Sequence, residues 1–226
     1  MKPIFITGIE RSGTTIVAKI IAHCGAFSGR CTKMMENKAV KHMMDYHYQD
    51  SGWDSRGQFP LPVQDNLMIP AGWRQQVLRL LEKEGLREDG VFMLKSNRIA
   101  QTWRIWAHAF PEAQWIIVRR RTGDIIKSCQ RTDYMDTFSD PVKQKAVNAT
   151  TEIEGWLWWV HYHEQQFVDM ITEGLDVKVI WPQRMVHGDY GQVYEMQRWL
   201  GLVWKKDILN EIENIMYKGR LKQYES

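Results

Sequence analysis

Two periodicities alternate along this chain: short, mostly apolar runs, and stripes in which apolar residues recur every three or four positions. Runs of strand length occupy Pro3 to Thr7, Val91 to Leu94, Trp115 to Val118 and Val177 to Trp181. Trp115 to Val118 has no polar member, as expected of a central strand buried on both faces. Between the runs lie helical stripes. From Thr14, the residues Ile16, Val17, Ile20, Ile21 and Cys24 share one helical face, and Gly25 stops it. Residues 34 to 48 read as a weaker helix. Trp73, Val77, Leu78, Leu80 and Leu81 mark another, closed by Gly85, while Pro111 ends a stripe of Ile99, Trp103, Trp106 and Phe110. A helix starts near Gly123. A longer one follows Pro141 through Val142, Ala146, Ala149, Ile153, Trp156 and Val160, and Tyr190 to Leu200 forms a last one before Gly201. Residues 49 to 72, rich in Gly, Pro, Asp, Ser and Gln, form a long irregular excursion of the kind that often carries function.

Strands separated by helices imply βαβ units, hence an α/β fold: a three-layer α/β/α sandwich around a central parallel sheet. With 226 residues, no internal repeat and no linker, the expectation is a single domain spanning residues 1–226. The balance of 44% hydrophobic and 25% charged residues excludes disordered and collagen-like chains. No apolar stretch is long enough for a membrane-spanning helix. A net charge of +3 is too small to argue for a nucleic-acid partner, yet it leaves room for a local anion site. Cys24, Cys31 and Cys129 are an odd set without a Cys-x-x-Cys pair, and Met1-Lys2-Pro3 runs into Ile4-Phe5-Ile6 with no secretory leader. Both fit a reducing, cytoplasmic setting. Eleven Trp and twelve Met point to clefts lined with aromatic and adaptable apolar surface.

Candidate chemistry begins where the first strand ends. Gly8-Ile9-Glu10-Arg11-Ser12-Gly13-Thr14-Thr15 has the strand, Gly-x-x-x-x-Gly, helix arrangement of a phosphate-binding loop, whose backbone N–H groups face an anion. Nucleotidase loops continue Gly-Lys-Ser/Thr; this chain has Gly13-Thr14-Thr15, and its only loop cation is Arg11. Such a loop suits a phosphate or sulfate better than a magnesium-bridged triphosphate. A second basic segment, Arg119-Arg120-Arg121-Thr122-Gly123-Asp124, follows the buried third strand, at the sheet edge where α/β proteins bind ligands. Guanidinium groups there suit a second phosphate, the alternative being a solvated basic turn.

Arg11-Ser12-Gly13-Thr14-Thr15 resembles the 5′-phosphosulfate loop of sulfotransferases that use 3′-phosphoadenosine-5′-phosphosulfate (PAPS), and the segment from Ile117 to Ser128 resembles their 3′-phosphate motif. In that motif an arginine and a serine eight positions later hold the 3′-phosphate. Arg120 and Ser128 match, with Asp124 at the family's usual aspartate. At lower specificity, Leu94-Lys95-Ser96, Phe110-Pro111-Glu112-Ala113 and the stretch from Val177 to Leu202 resemble further family segments. Tyr217-Lys218-Gly219-Arg220 resembles an element that folds back over the cofactor, so Lys218, Gly219 and Arg220 are candidate cofactor residues. Three departures matter. Asn97, followed by Arg98, replaces the histidine base of members acting on small phenols and steroids. Ile16 replaces a tryptophan that stacks on adenine, so adenine recognition must come from elsewhere. Other members use a glutamate after the first helix, which here is Glu36, read alternatively as an exposed helix carboxylate.

The resemblance implies a P-loop sulfotransferase architecture, PAPS as donor and adenosine 3′,5′-bisphosphate as product. Arg11, Ser12, Gly13, Thr14 and Thr15 would bind the 5′ side, Arg120 and Ser128 the 3′-phosphate. Lys95, with Arg11, would stabilise the leaving group, and Glu36 would take the acceptor's proton, with Asp45, His42 and His163 as substitutes. No metal is implied, because a monoanionic sulfuryl group does not call for one. The acceptor, a small molecule, glycan or peptide, has no readable motif, and neither nucleic acid nor membrane is expected as a partner. A P-loop nucleotide or metabolite kinase and a catalytically silent nucleotide-binding protein are the alternatives. His161 and His163, two apart on a helix, face apart and do not chelate; His163 continues the apolar stripe. Trp156 and Trp159 read as core, and Trp158 as a cleft residue.

Overall fold

The computed structural model describes residues 1–49, 52–54, 56–61, 68–205, 207–210 and 212–213. Along the chain, β1 (Lys2–Gly8), α1 (Thr14–His23), α2 (Lys38–Tyr48) and α3 (Trp73–Lys83) precede β2 (Val91–Lys95) and α4 (Trp103–Ala109). Then come β3 (Gln114–Val118), α5 (Thr122–Gln130), α6 (Pro141–Ala146), α7 (Glu152–Thr172), β4 (Asp176–Ile180), α8 (Gln183–Val186) and α9 (Gly191–Leu200). The strands pair in parallel in the order β2-β1-β3-β4. No helix among the described residues is long and apolar enough to cross a membrane.

Strand alternation sorts the side chains into two layers. Ile4, Ile6, Ile116 and Val118 pack on one face with Val17 and Ile21 of α1 and Met196 and Leu200 of α9. Phe5, Trp115 and Ile117 point the other way, onto Val77, Trp106 and Trp159 of α3, α4 and α7. Phe5 meets Trp106 and Trp115 edge-on, with ring centroids 5.2 and 4.9 Å apart. The helices on both faces complete the expected α/β/α sandwich.

Four local expectations are corrected. The last strand spans Asp176–Ile180, one residue earlier than read, because the Trp181 N–H bonds to the Gln192 side chain and leaves the ladder. The Ile99–Phe110 stripe is a 3-10 turn at Asn97–Gln101 followed by α4, divided at Thr102. Helix α2 begins at Lys38, because the Asn37 side chain accepts the Val40 N–H and caps it there; residues 34–36 lie outside the helix. The helix after Pro141 is two helices. Asn148 adopts a left-handed φ of 56°, and the Thr151 hydroxyl accepts the Glu154 N–H while the Glu154 carboxylate accepts from Thr150, starting α7 afresh. Val142 and Ile153 are accordingly exposed.

One topological feature positions the site. After β1 the chain enters α1 on one face of the sheet, whereas after the neighbouring β3 it enters α5, whose Ile125 and Cys129 pack in the opposite layer. Connections that diverge from adjacent parallel strands open a crevice at their carboxyl ends. The two anion-loop candidates flank that crevice.

Candidate active site

Close packing and backbone geometry together shape the first loop. A Cβ on Gly8 would lie 2.5 Å from the Val118 carbonyl and 2.8 Å from the Ser12 hydroxyl, so a side chain there would push the loop out of place. Arg11 (φ 66°) and Gly13 (φ 102°) both adopt left-handed backbone, which turns neighbouring N–H groups toward one concavity. Gly13 also starts α1 without a side-chain cap, leaving the first-turn N–H groups without intrahelical partners. The buried Ser12 hydroxyl has no partner either. This is a concavity built from donors, and it fits a phosphate or sulfate.

The arginine run divides by role. Arg119 is held by Glu164 and lies over the Trp181 ring at 5.1 Å. The Arg121 side chain is exposed, and its backbone N–H donates to Gln183. Only Arg120 among the three lines the crevice cavity. Its Nη1 donates to the Arg11 carbonyl at 3.0 Å, and its buried Nε has no partner. Arg11 in turn donates from Nε to the Ser128 hydroxyl and from Nη1 to the Tyr134 hydroxyl, each at 2.9 Å. Ser128 therefore sits behind Arg11 and does not form the cavity wall. Asp124 accepts from Gln183 and braces the start of α5. The two loops, more than a hundred residues apart in sequence, form one connected donor surface.

The cavity encloses about 840 Å³, room for a nucleotide and a small second molecule. Thr14 and Thr15 line it; the Thr14 hydroxyl donates to Asn97 Oδ1 at 3.2 Å, fixing the residue that stands where a histidine base would be. Lys95, at the carboxyl end of β2, is 4% exposed and lies 3.6 Å from Glu36, itself 20% exposed. Burial pushes the Lys95 ammonium down from its ordinary value, while the charges of Glu36 and Glu10 pull it back up. Glu36 sits not on a helix but in the turn before α2, where its carbonyl accepts the Thr32 N–H at 2.8 Å. Glu36 lines the cavity; Asp45, His42 and His163 do not. His42 is exposed, and His163 is fully buried.

Several functional candidates escaped the sequence reading. Pro182 and Val186 line the cavity, and the α8 region carried no motif that would have revealed them; Ile16, set aside above as an adenine contact, lines it with them and completes a small apolar surface suited to a planar base. Arg56 and Gln58 line it from the long excursion. Trp158, read as a cleft residue, does not line the cavity; it stacks on Tyr162 with centroids 5.4 Å apart. Trp156 and Trp159 are buried as expected. Lys218, Gly219 and Arg220 lie outside the described residues.

Glu10 is the most consequential omission. It is 7% exposed, lines the cavity, and accepts the Trp159 indole N–H at 2.8 Å, while its other oxygen has no partner. Burial raises its pKa to about 7. Trp159 also accepts, through its carbonyl, from His163 Nδ1 at 3.1 Å, and burial lowers the pKa of that histidine to about 4. The two groups act on stability with opposite sign. Glu10 binds its proton more tightly when folded, so its contribution is complete below the unfolded carboxylate pKa and is lost as pH rises to about 7. His163 binds its proton more weakly when folded, so its contribution is complete above the unfolded histidine pKa and is lost as pH falls toward 4. Between about pH 5 and 7 they offset. Glu10→Gln should therefore gain stability relative to the unmutated chain by about 2–3 kcal/mol between pH 5 and pH 7. Urea unfolding at the two values measures this, and a pH-independent difference would show that Glu10 is not buried as a neutral acid.

Against known proteins, residues 3–205 match the family model of the sulfotransferase family. No curated protein matches the chain. Among solved structures, it is similar to sulfotransferase STF9 from Mycobacterium avium (12% identity, TM-score 0.57), over 96% of this chain and 68% of that one. It is also similar to sulfotransferase STF1 from Mycobacterium tuberculosis H37Rv (14% identity, TM-score 0.57; 93% and 70% covered). The sulfotransferase domain of the olefin synthase from Synechococcus PCC 7002 matches at 17% identity and TM-score 0.57, with 93% and 76% covered. At these identities the structural likeness speaks for the fold. The family follows from the sequence match, which spans both anion loops and all four strands: the chain belongs to the sulfotransferase family.

Proposed function

We propose that the chain transfers a sulfuryl group from PAPS to a hydroxyl or amine of a small acceptor. The observation that carries this reading is the coupling of two separate anion sites, Arg11 with its loop and Arg120 with its unpartnered Nε, across one crevice. Adenosine 3′,5′-bisphosphate carries phosphates at both ends of its ribose, and two linked donor sets suit it better than one. The donor supplies a sulfuryl group on an activated phosphosulfate anhydride.

The chain's own residues do the rest. The N–H groups and hydroxyls of Ser12, Gly13, Thr14 and Thr15, with Arg11, hold the 5′ end; Arg120 holds the 3′-phosphate, and Ser128 orients Arg11. Lys95 offsets the negative charge that grows on the leaving oxygen, where a preorganised cation in a water-poor site acts most strongly. Glu36 takes the proton of the attacking group as the new bond to sulfur forms and the old sulfur–oxygen bond breaks. Ile16, Pro182 and Val186 pack against the base. The whole chain and a cytoplasmic setting are part of the same reading.

Thermal melting with adenosine 3′,5′-bisphosphate or with ATP and magnesium tests the donor site. A ligand selective for the native state raises the melting temperature according to its affinity. The bisphosphate should give the larger rise, and a larger rise with magnesium–ATP would turn the reading to a kinase.

A further inference from the structure

We propose that the acceptor is itself a small anion, and that Arg98, supported by Lys41, anchors its carboxylate or phosphate while its hydroxyl or amine faces Glu36. The inference rests on the sulfotransfer reading and names its substrate class. Beyond the donor's cations and Lys19 of α1, the cavity lining presents Lys41, Arg56 and Arg98. Arg56 is balanced, flanked by Asp54 and Asp136. The other two are not.

Arg98 and Lys41 share one carboxylate. Asp45 accepts from Arg98 Nη1, from Lys41 at 2.8 Å and from the Trp53 indole at 3.1 Å, so its single charge faces two cations. The Arg98 side chain is 4% exposed, its guanidinium lies over the Trp53 ring at 5.0 Å, and Gly57 packs on its stem, where a Cβ would come within 2.4 Å of Cγ. Nη2 is buried with no partner. Burying a guanidinium is costly unless every donor finds an acceptor, and Asp45 is already shared among three donors. An anion at this cavity wall would supply both the missing acceptor and the missing charge. A neutral acceptor would supply neither.

Placement adds a constraint on size. Arg98 lies three residues beyond Lys95 on the same β2-to-turn segment, and its charge is felt at Lys95. Anchor and reaction centre are therefore neighbours, which favours a compact hydroxy or amino acid, or a sugar phosphate, over a long polymer.

Matched pairs test the idea by calorimetry on the whole protein: 4-hydroxybenzoate against 4-hydroxybenzamide, and glucosamine 6-phosphate against glucosamine. Each pair is run with and without adenosine 3′,5′-bisphosphate. In at least one pair the anionic member should bind tenfold or more tightly, and which pair responds tells carboxylate from phosphate. Arg98→Gln should cut that preference to threefold or less with bisphosphate affinity intact, and Arg98→Lys should keep part of it. If Arg98→Gln does not fold, Lys41→Gln should still weaken the anionic member several-fold and spare the neutral one. Equal binding within every pair overturns the anchor, as does a variant that weakens both members alike. If the bisphosphate itself does not bind, the donor reading is overturned instead, while the pairs without it still decide the anchor.

Discussion

Glu36→Gln is expected to lower turnover by about 10² to 10⁴ while leaving affinity for adenosine 3′,5′-bisphosphate within about threefold, the pattern of a lost general base. Glu36 is the carboxylate that lines the cavity with part of its surface accessible, and Lys95 lies 3.6 Å from it. That pairing gives the residue a second duty, since removing its charge leaves the buried Lys95 ammonium facing Glu10 alone among the nearby carboxylates that favour its charge. The two duties separate by pH. A lost base lowers the rate at every pH, whereas a lysine that has lost its support recovers rate as the solution is made more acidic. Acceptors drawn from the anionic panel supply the assay, with transfer followed from PAPS. If Glu10→Gln collapses turnover and Glu36→Gln does not, the base is Glu10, whose pKa near 7 also suits proton transfer at neutral pH.

Arg120→Ala is expected to weaken adenosine 3′,5′-bisphosphate by about 2–4 kcal/mol, because a charge-assisted pair is lost at a partly desolvated site. AMP, which lacks the 3′-phosphate, should lose far less. A small loss for AMP is still expected, since the Arg120 side chain also braces the Arg11 carbonyl. Calorimetry on both ligands decides it. Equal losses would mean that Arg120 serves the loop and not the 3′-phosphate. Arg119 and Arg121 should be nearly silent in the same assay, the first being committed to Glu164 and the second exposed.

What the sequence determined by itself is local, or repeated along the chain. The central strand was legible because a strand buried on both faces is apolar throughout, as Trp115 to Val118 is, and the other three by short β-branched and aromatic runs, the edge strand with Lys178 among them. The first loop was legible because the Gly-x-x-x-x-Gly pattern directly after a strand lies within eight residues, and Gly13 is demanded by its own φ of 102°; that Gly8 must also clear the Val118 carbonyl is a tertiary contact. The resemblance to the sulfotransferase family was carried by the two anion loops, and the family match over residues 3–205 bears it out. Even the break before α7 is written locally, in the cap of Thr151 and Glu154, but the apolar spacing runs unbroken across it and masks the cap.

Tertiary structure alone decided which side chains meet. Nothing in the run Arg119-Arg120-Arg121 says which guanidinium turns inward; that depends on Glu164 of α7, which holds the Arg119 guanidinium, and on a backbone course that leaves Arg121 exposed. Glu10 read as a loop residue among polar neighbours, yet α7 closes over it with Trp159 and makes it a buried acid. Arg98 became a candidate anchor through Asp45, Trp53 and Gly57, three residues of α2 and the excursion with no shared motif. Charge, burial and orphaned hydrogen bonds belong to pairs of residues brought together by the fold, and a pattern read along one chain registers only the neighbours that are near in sequence.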